Sequence, residues 1–229
     1  MKLPEDINVL IGCETSGAMR EAFLALGFNA FSCDLLPADT PTNRHIRDDI
    51  RRVMIDPTWD LMCIMHPPCT RLCRAGQRWL YGPDKTHPKK LPKGRSWDSM
   101  KAEFEAGCAL FEDCLHAPVP LRVVENQVMH KWAKERIRDL PKPQIVQPWW
   151  FGDPAFKATG FYLMGDLPEL QATNRLTPPQ KGTQEYKDWS AIHRAPPGPD
   201  RWKIRSKTFP GIAMASAQQW GAHALKVAA

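Results

Sequence analysis

No stretch of this chain stays apolar long enough to span a membrane, and its opening residues, MKLPEDINVL, lack the pattern of a secretory signal. A cytoplasmic protein is the expectation. Internal repeats and low-complexity tracts are missing as well, which excludes solenoid and other repeat architectures. A disulfide framework is excluded by the cysteines themselves. There are seven, at positions 13, 33, 63, 69, 73, 108 and 114, an odd set scattered through strand-like and helix-like segments, which fits a reducing compartment.

What is present suits one well-filled core. The chain has 229 residues, 43% of them hydrophobic, enough for a single domain with a small appendage. A net charge of +6 mildly favours a polyanionic partner. Proline, with 22 residues, crowds between Pro83 and Pro92 and again between Pro168 and Pro199, so these two regions are expected to be irregular.

Strand and helix signals alternate. Ile7 to Ile11 is a short apolar run, followed by GCETSG and then AMREAFLALGF, whose Ala18, Ala22, Phe23 and Leu26 recur at helical spacing before Gly27. NAFSCD follows as a second strand ending at Asp34. DLMCIM and LRVVEN read as further strands, and QIVQPWWFG and TGFYLM follow them as strand-like segments. Ser96 to Leu115 and GIAMASAQQWGAHALKV read as amphipathic helices. Strands alternating with helices predict an α/β protein with a doubly wound, mostly parallel sheet. The first unit follows Rossmann-like logic: a small-residue turn, a helix, and an acid some twenty residues on that can hold ribose hydroxyls. The turn is not GxGxxG, so an ordinary α/β turn remains the alternative.

IMHPPCT, Ile64 to Thr70, is the most informative stretch. Two prolines stop a strand and leave Cys69 on a stiff loop at its carboxyl end, where open α/β sheets keep their chemistry. Asp34, Cys69 and Glu125 all fall at predicted strand ends, so they can converge. A thiolate and a carboxylate facing a flat heterocycle suit nucleophilic addition to a pyrimidine, followed by group transfer to its activated C5. Other readings stand beside this one. Cys69 can be a buried structural thiol, or can join Cys73 and His66 around zinc. Glu125 can cap a helix, and Asp34 can be a surface acid.

HPPCT, the later EN, and FGDPAFKAT occur in this order and resemble the ordered motifs of the DNA cytosine-5 methyltransferases. With CETSGAMREAFLALGF and RSKTFPGIAMASAQQWG added, most of the chain resembles the short, phage-borne branch of that family. The resemblance implies a Rossmann-like S-adenosylmethionine-dependent methyltransferase fold, S-adenosyl-L-methionine as cofactor, and DNA as partner with the target cytosine flipped out. It implies no metal and no membrane, and a restriction-modification or anti-restriction setting. It makes Cys69 the nucleophile and Glu125 the base-polarising acid. Glu14, Ser16 and Gly17 fall in the cofactor loop, Asp34 at the ribose, Asp49 and Ile50 by the adenine, and Pro67 beside the cofactor. Pro68 shapes the base pocket, Asn126 braces the loop carrying Glu125, and Lys157 and Thr159 face the substrate.

The departures are specific. Cys13, Glu14 and Thr15 stand in a cofactor loop that is usually richer in glycine, which implies that the Glu14 carboxylate meets the methionine amine. Thr159 occupies the position of an arginine that supports the target ring, and only Lys157 keeps a cation in that segment. Gln127 replaces an apolar residue after EN. A single catalytic domain is expected over 1–229, with a basic loop at 71–95 and a reduced, proline-rich recognition segment at 165–205. The loop carries eight Lys or Arg, including Arg71, Arg74, Lys89 and Lys90, against one acid. Its position after Cys69 suggests closure over a flipped nucleotide, against the alternative of a solvated surface loop. Two other functions remain open from the sequence: C5 modification of a free pyrimidine nucleotide or transfer of another group, and DNA binding without catalysis.

Overall fold

A computed structural model of the chain describes residues 2–81, 91, 94–196, 198, 201–206 and 208–229. Seven strands form one sheet: β1 Asn8–Gly12, β2 Asn29–Asp34, β3 His45–Arg47, β4 Leu61–Ile64, β5 Leu121–Asn126, β6 Gln144–Val146 and β7 Thr159–Met164. Their order is β3-β2-β1-β4-β5-β7-β6. The first five pair in parallel, and β7 runs antiparallel to both β5 and β6. This is the doubly wound, mostly parallel, Rossmann-like sheet expected from the sequence. The short strand β3 and the reversal at β7 are additions to that expectation.

The apolar runs of β1 and β4 have no polar face because both faces are covered. Val9 and Ile11 point to one side, where α1 (Ala18–Ala25) and the final helix α8 (Pro210–Val227) pack with Phe23, Ile212 and Trp220. Leu10, Met62 and Ile64 point to the other side. There α2 (Ile50–Val53) and α4 (Trp97–Leu115) supply Ile50, Cys108, Phe111 and Cys114. Ser96 starts α4 as a reciprocal cap: its Oγ accepts from the Ser99 N–H while Ser99 Oγ accepts from the Ser96 N–H, each at 3.1 Å. Three short helices, α3 Arg74–Gln77, α5 Lys131–Arg136 and α6 Gln184–Trp189, were not anticipated, nor was α7 Arg201–Ser206. α6 lies inside the proline-rich region that was expected to be irregular.

Trp220 on α8 ties the last helix to the sheet. Its ring meets Phe161 edge-on, with centroids 5.3 Å apart, and its Nε1 donates to the Pro168 carbonyl at 3.0 Å. Trp220→Ala is therefore expected to lower stability by about 3–5 kcal/mol, measured by guanidinium unfolding. Trp220→Phe, which keeps most of the packing, should lose clearly less.

Candidate active site

The carboxyl edge of the parallel strands gathers the predicted residues in two groups. The first surrounds the turn after β1. Gly17 adopts a left-handed φ of 75° at the N-cap of α1, a conformation that favours glycine. Glu14 is fully buried, and its carboxylate accepts from the Met19 N–H at 2.9 Å and from the Arg20 N–H at 3.5 Å. Ser16 Oγ donates to the same carboxylate at 3.2 Å. Burial raises the Glu14 carboxyl above its ordinary value, while the Met19 hydrogen bond and the nearby His66 act in the opposite sense. Glu14 thus caps the helix from inside, with its carboxylate on the amides of α1 rather than directed at solvent.

Asp34 ends β2 half-buried, and one oxygen accepts from the Leu36 N–H at 2.9 Å. Leu35 and Leu36 beside it are exposed. Asp49 caps α2 by accepting from the Arg51 N–H at 3.0 Å. Ile50 is buried with its side chain against Gly12.

The second group lies at the ends of β4 and β5. Parallel pairing sets Ile64 opposite Val124, so the loop of Met65 to Cys69 runs beside Glu125 and Asn126. Pro67 is buried, Pro68 exposed and Cys69 half-buried. Burial pushes the Cys69 thiol up to about 12. Glu125 and Cys73 push the same way, and Lys157 opposes them. Lys157 is itself buried; burial lowers its ammonium below the ordinary value, while Glu125 and Cys69 pull it back up. Cys69, Glu125 and Lys157 therefore sense one another electrostatically across three segments of chain.

Met65, His66, Glu125, Lys157, Thr159 and Thr208 line an open pocket, with Phe161, Phe209 and Ile212 completing it. Thr159 Oγ1 donates to the Lys157 carbonyl at 3.2 Å. Asn126 is fully buried, and neither of its side-chain polar atoms has a partner among the described residues.

Two histidines organise this group. His66 Nε2 lies 3.0 Å from Thr208 Oγ1, and its Nδ1 lies 3.7 Å from the Glu125 carboxylate. His130 Nδ1 accepts from the Ala133 N–H at 3.2 Å, which leaves Nε2 to donate to the Arg71 carbonyl at 2.7 Å. Sequence pattern gave no signal for His130, because its partner lies fifty-nine positions away. For His66 there was one: it directly precedes the two prolines. The pocket wall at Thr208 and Phe209 carried no signal of its own.

The remaining predicted residues divide. The Arg71 guanidinium is engaged with Glu103 on α4 at 2.9 Å, whereas Arg74 is exposed. Lys89 and Lys90 lie outside the described residues. Cys73, the alternative zinc ligand, turns its thiol to the Thr70 carbonyl at 3.8 Å. Among the described residues no three His, Cys, Asp or Glu side chains cluster as a metal site, and no helix is long and apolar enough to cross a membrane.

No protein-family model matches the chain, and no curated protein matches it in sequence. Among solved structures, it is similar to an E. coli protein described as a DNA modification methyltransferase encoded within a prophage. The TM-score is 0.40 at 16% identity, over 69% of this chain and 46% of that one. This chain thus spans less than half the length of that neighbour.

Two outcomes follow from the thiol and its loop. A thiol held near 12 is almost wholly protonated at neutral pH, so alkylation of Cys69 by iodoacetamide should quicken about tenfold per pH unit from 7 to 10. Peptide mass spectrometry after timed quenching gives the rate. A Cβ added at Gly76 would lie 1.8 Å from the Thr70 carbonyl oxygen, so Gly76→Ala must displace the turn that begins at Cys69. That variant should change the Cys69 alkylation rate severalfold while the far-ultraviolet circular dichroism stays close to wild type.

Proposed function

We propose that the protein methylates C5 of cytosine in DNA, using S-adenosyl-L-methionine and a transient bond from Cys69 to C6. The observation that carries this reading is one pocket that joins the Glu125 carboxylate, the buried Lys157, Thr208, and Met65 and His66 from the loop that carries Cys69. A carboxylate and a buried cation in that pocket, with a nucleophile on the loop that forms part of its wall, match what a pyrimidine needs: attack at one carbon and polarisation at the opposite ring nitrogen.

The turn after β1 supports the cofactor. In dinucleotide-binding folds the N-terminus of the first helix receives a phosphate. Here the Glu14 carboxylate already occupies those amides, so a second anion would be repelled. Asp34 and Asp49 add to the acidic rim. An acidic, pre-capped site suits a cationic cofactor with ribose hydroxyls, which fits S-adenosylmethionine and disfavours a pyrophosphate.

In the proposed reaction, Cys69 loses its proton and its sulfur bonds to C6 of the cytosine. Glu125 hydrogen-bonds at N3, so electron density displaced from the C5–C6 double bond is held by the ring. S-adenosylmethionine, held at the turn after β1, would supply the methyl group to C5, its sulfonium–methyl bond breaking to leave the neutral thioether S-adenosylhomocysteine. Loss of the C5 proton and cleavage of the carbon–sulfur bond then restore the double bond and free Cys69. Burial of the thiol favours its protonated form, while Lys157 and a backbone hydrogen bond at Cys69 favour the thiolate.

Transfer of tritium from labelled S-adenosylmethionine to DNA, with the modified base identified after digestion, tests the reading. Label in 5-methylcytosine is expected; label in another base, or none, overturns it. Cys69→Ser should abolish transfer and leave cofactor affinity nearly intact by calorimetry. DNA carrying 5-fluorocytosine should trap the wild-type protein covalently, because fluorine blocks the final elimination. Asp34→Ala should weaken S-adenosylmethionine binding by about ten- to a hundredfold, and an unchanged dissociation constant would remove Asp34 from the site.

A further inference from the structure

The loops that follow β4 and β5 are stitched together beside Cys69. The His130 N–H donates to the Leu72 carbonyl at 3.0 Å, the Arg74 N–H to the Val128 carbonyl at 3.4 Å, and Cys73 bridges Met129. The stitch raises two apolar side chains on the surface. Val128 and Trp132 are 38% and 36% exposed, although their neighbours Met129, His130 and Ala133 are buried. A large indole left in water at the edge of a site calls for an account, because the other apolar side chains of this turn are folded inward.

The indole is also braced. Phe104 stacks on His130 with centroids 5.7 Å apart, and His130 meets Trp132 edge-on at 5.9 Å. Tyr81 meets the other side of Trp132 at 4.9 Å. Around this ridge stand exposed Arg74, Arg78, Lys131 and Lys134. The acid that answers them locally is Glu135, 3.6 Å from Lys131 in a solvent-exposed pair of small energetic weight.

We propose that Val128 and Trp132 form a nucleobase-stacking ridge for the DNA strand flanking the target base, with Arg74, Arg78, Lys131 and Lys134 on its phosphates. Charge complementarity selects a polyanion, and a rigid, braced aromatic among cations selects one with flat, stackable groups. Because the ridge stands on the two loops that begin at Cys69 and Glu125, a strand held there presents its neighbouring nucleotide to the pocket. The inference rests on the DNA-methylating reading for the identity of the strand, yet it concerns binding and is read without turnover.

Fluorescence anisotropy of a labelled DNA duplex and of its single strand, across a salt series and without cofactor, tests it. Trp132→Ala should weaken binding by about tenfold or more, with the slope against log salt unchanged. Trp132→Phe, still able to stack, should stay within a fewfold of wild type. Val128→Asp, an exposed change that leaves the core intact, should also weaken binding. Arg74→Ala with Lys134→Ala should flatten the salt slope instead. Wild-type affinity in both Trp132→Ala and Val128→Asp, with folding verified by circular dichroism, overturns the ridge and leaves the methylation reading standing. Equal losses for the alanine and phenylalanine variants also overturn stacking. Tight, Trp132-dependent binding without any methyl transfer upholds the ridge and removes the methylation reading. A wild-type protein that binds no DNA overturns both.

Discussion

The parallel pairing of β4 with β5, from Leu61 opposite Leu121 to Ile64 opposite Val124, is the constraint on which the site depends. Two adjacent strands that end together deliver their next residues to one place. After β4 the chain cannot continue as a ladder strand, because Pro67 and Pro68 lack amide donors. It turns out of the sheet at the height where β5 still holds Glu125 and Asn126. A slip of one residue would send Glu125 to the opposite face of the sheet, and the pocket would lose its carboxylate.

Around that pairing, polar groups are buried only where others answer them. Glu14 is inside because α1 offers it amides. Arg20 is fully buried because Ser32 accepts from it at 2.6 Å and Glu21 pairs with it at 2.8 Å. Lys157 sits at the pocket, where Glu125 offsets part of its desolvation. There are exceptions: among the described residues Trp150 Nε1, Ser216 Oγ and His223 Nε2 lack hydrogen-bond partners, and Asn126 has both side-chain polar atoms unanswered. An unpaired amide at the end of β5 is energetically costly, and its place beside Glu125 fits a pocket completed by substrate.

Much of this was legible in the sequence because it is local. The strands β1, β2, β4, β5 and β7 were visible as apolar runs, and α4 showed itself by the amphipathic pattern from Ser96 to Leu115. The convergence of Asp34, Cys69 and Glu125 at one edge followed from the logic of parallel sheets. What escaped is non-local. Antiparallel β7 reads like any other apolar strand, and its direction is set by the reversal through β6 and the Pro148–Trp150 turn. His130 is an ordinary histidine until its ring is seen on the Arg71 carbonyl. Arg71, read as a substrate cation, belongs to an ion pair with Glu103 that spans thirty-two positions. Spacing rules see neighbours along one element, and these contacts join separate ones.

The pocket takes its far wall from Thr208, Phe209 and Ile212, at the entrance to the final helix, and His66 touches Thr208 across 142 positions of chain. On a ribosome, therefore, the residues after β4 and β5 emerge and can pair long before their last neighbour exists. The site is finished only when α8 leaves the exit tunnel and docks on α1 and the sheet. A nascent chain stalled before Thr208 would carry Glu125 and Lys157 without the far wall of their pocket, so the pocket takes shape only after α8 has emerged and docked.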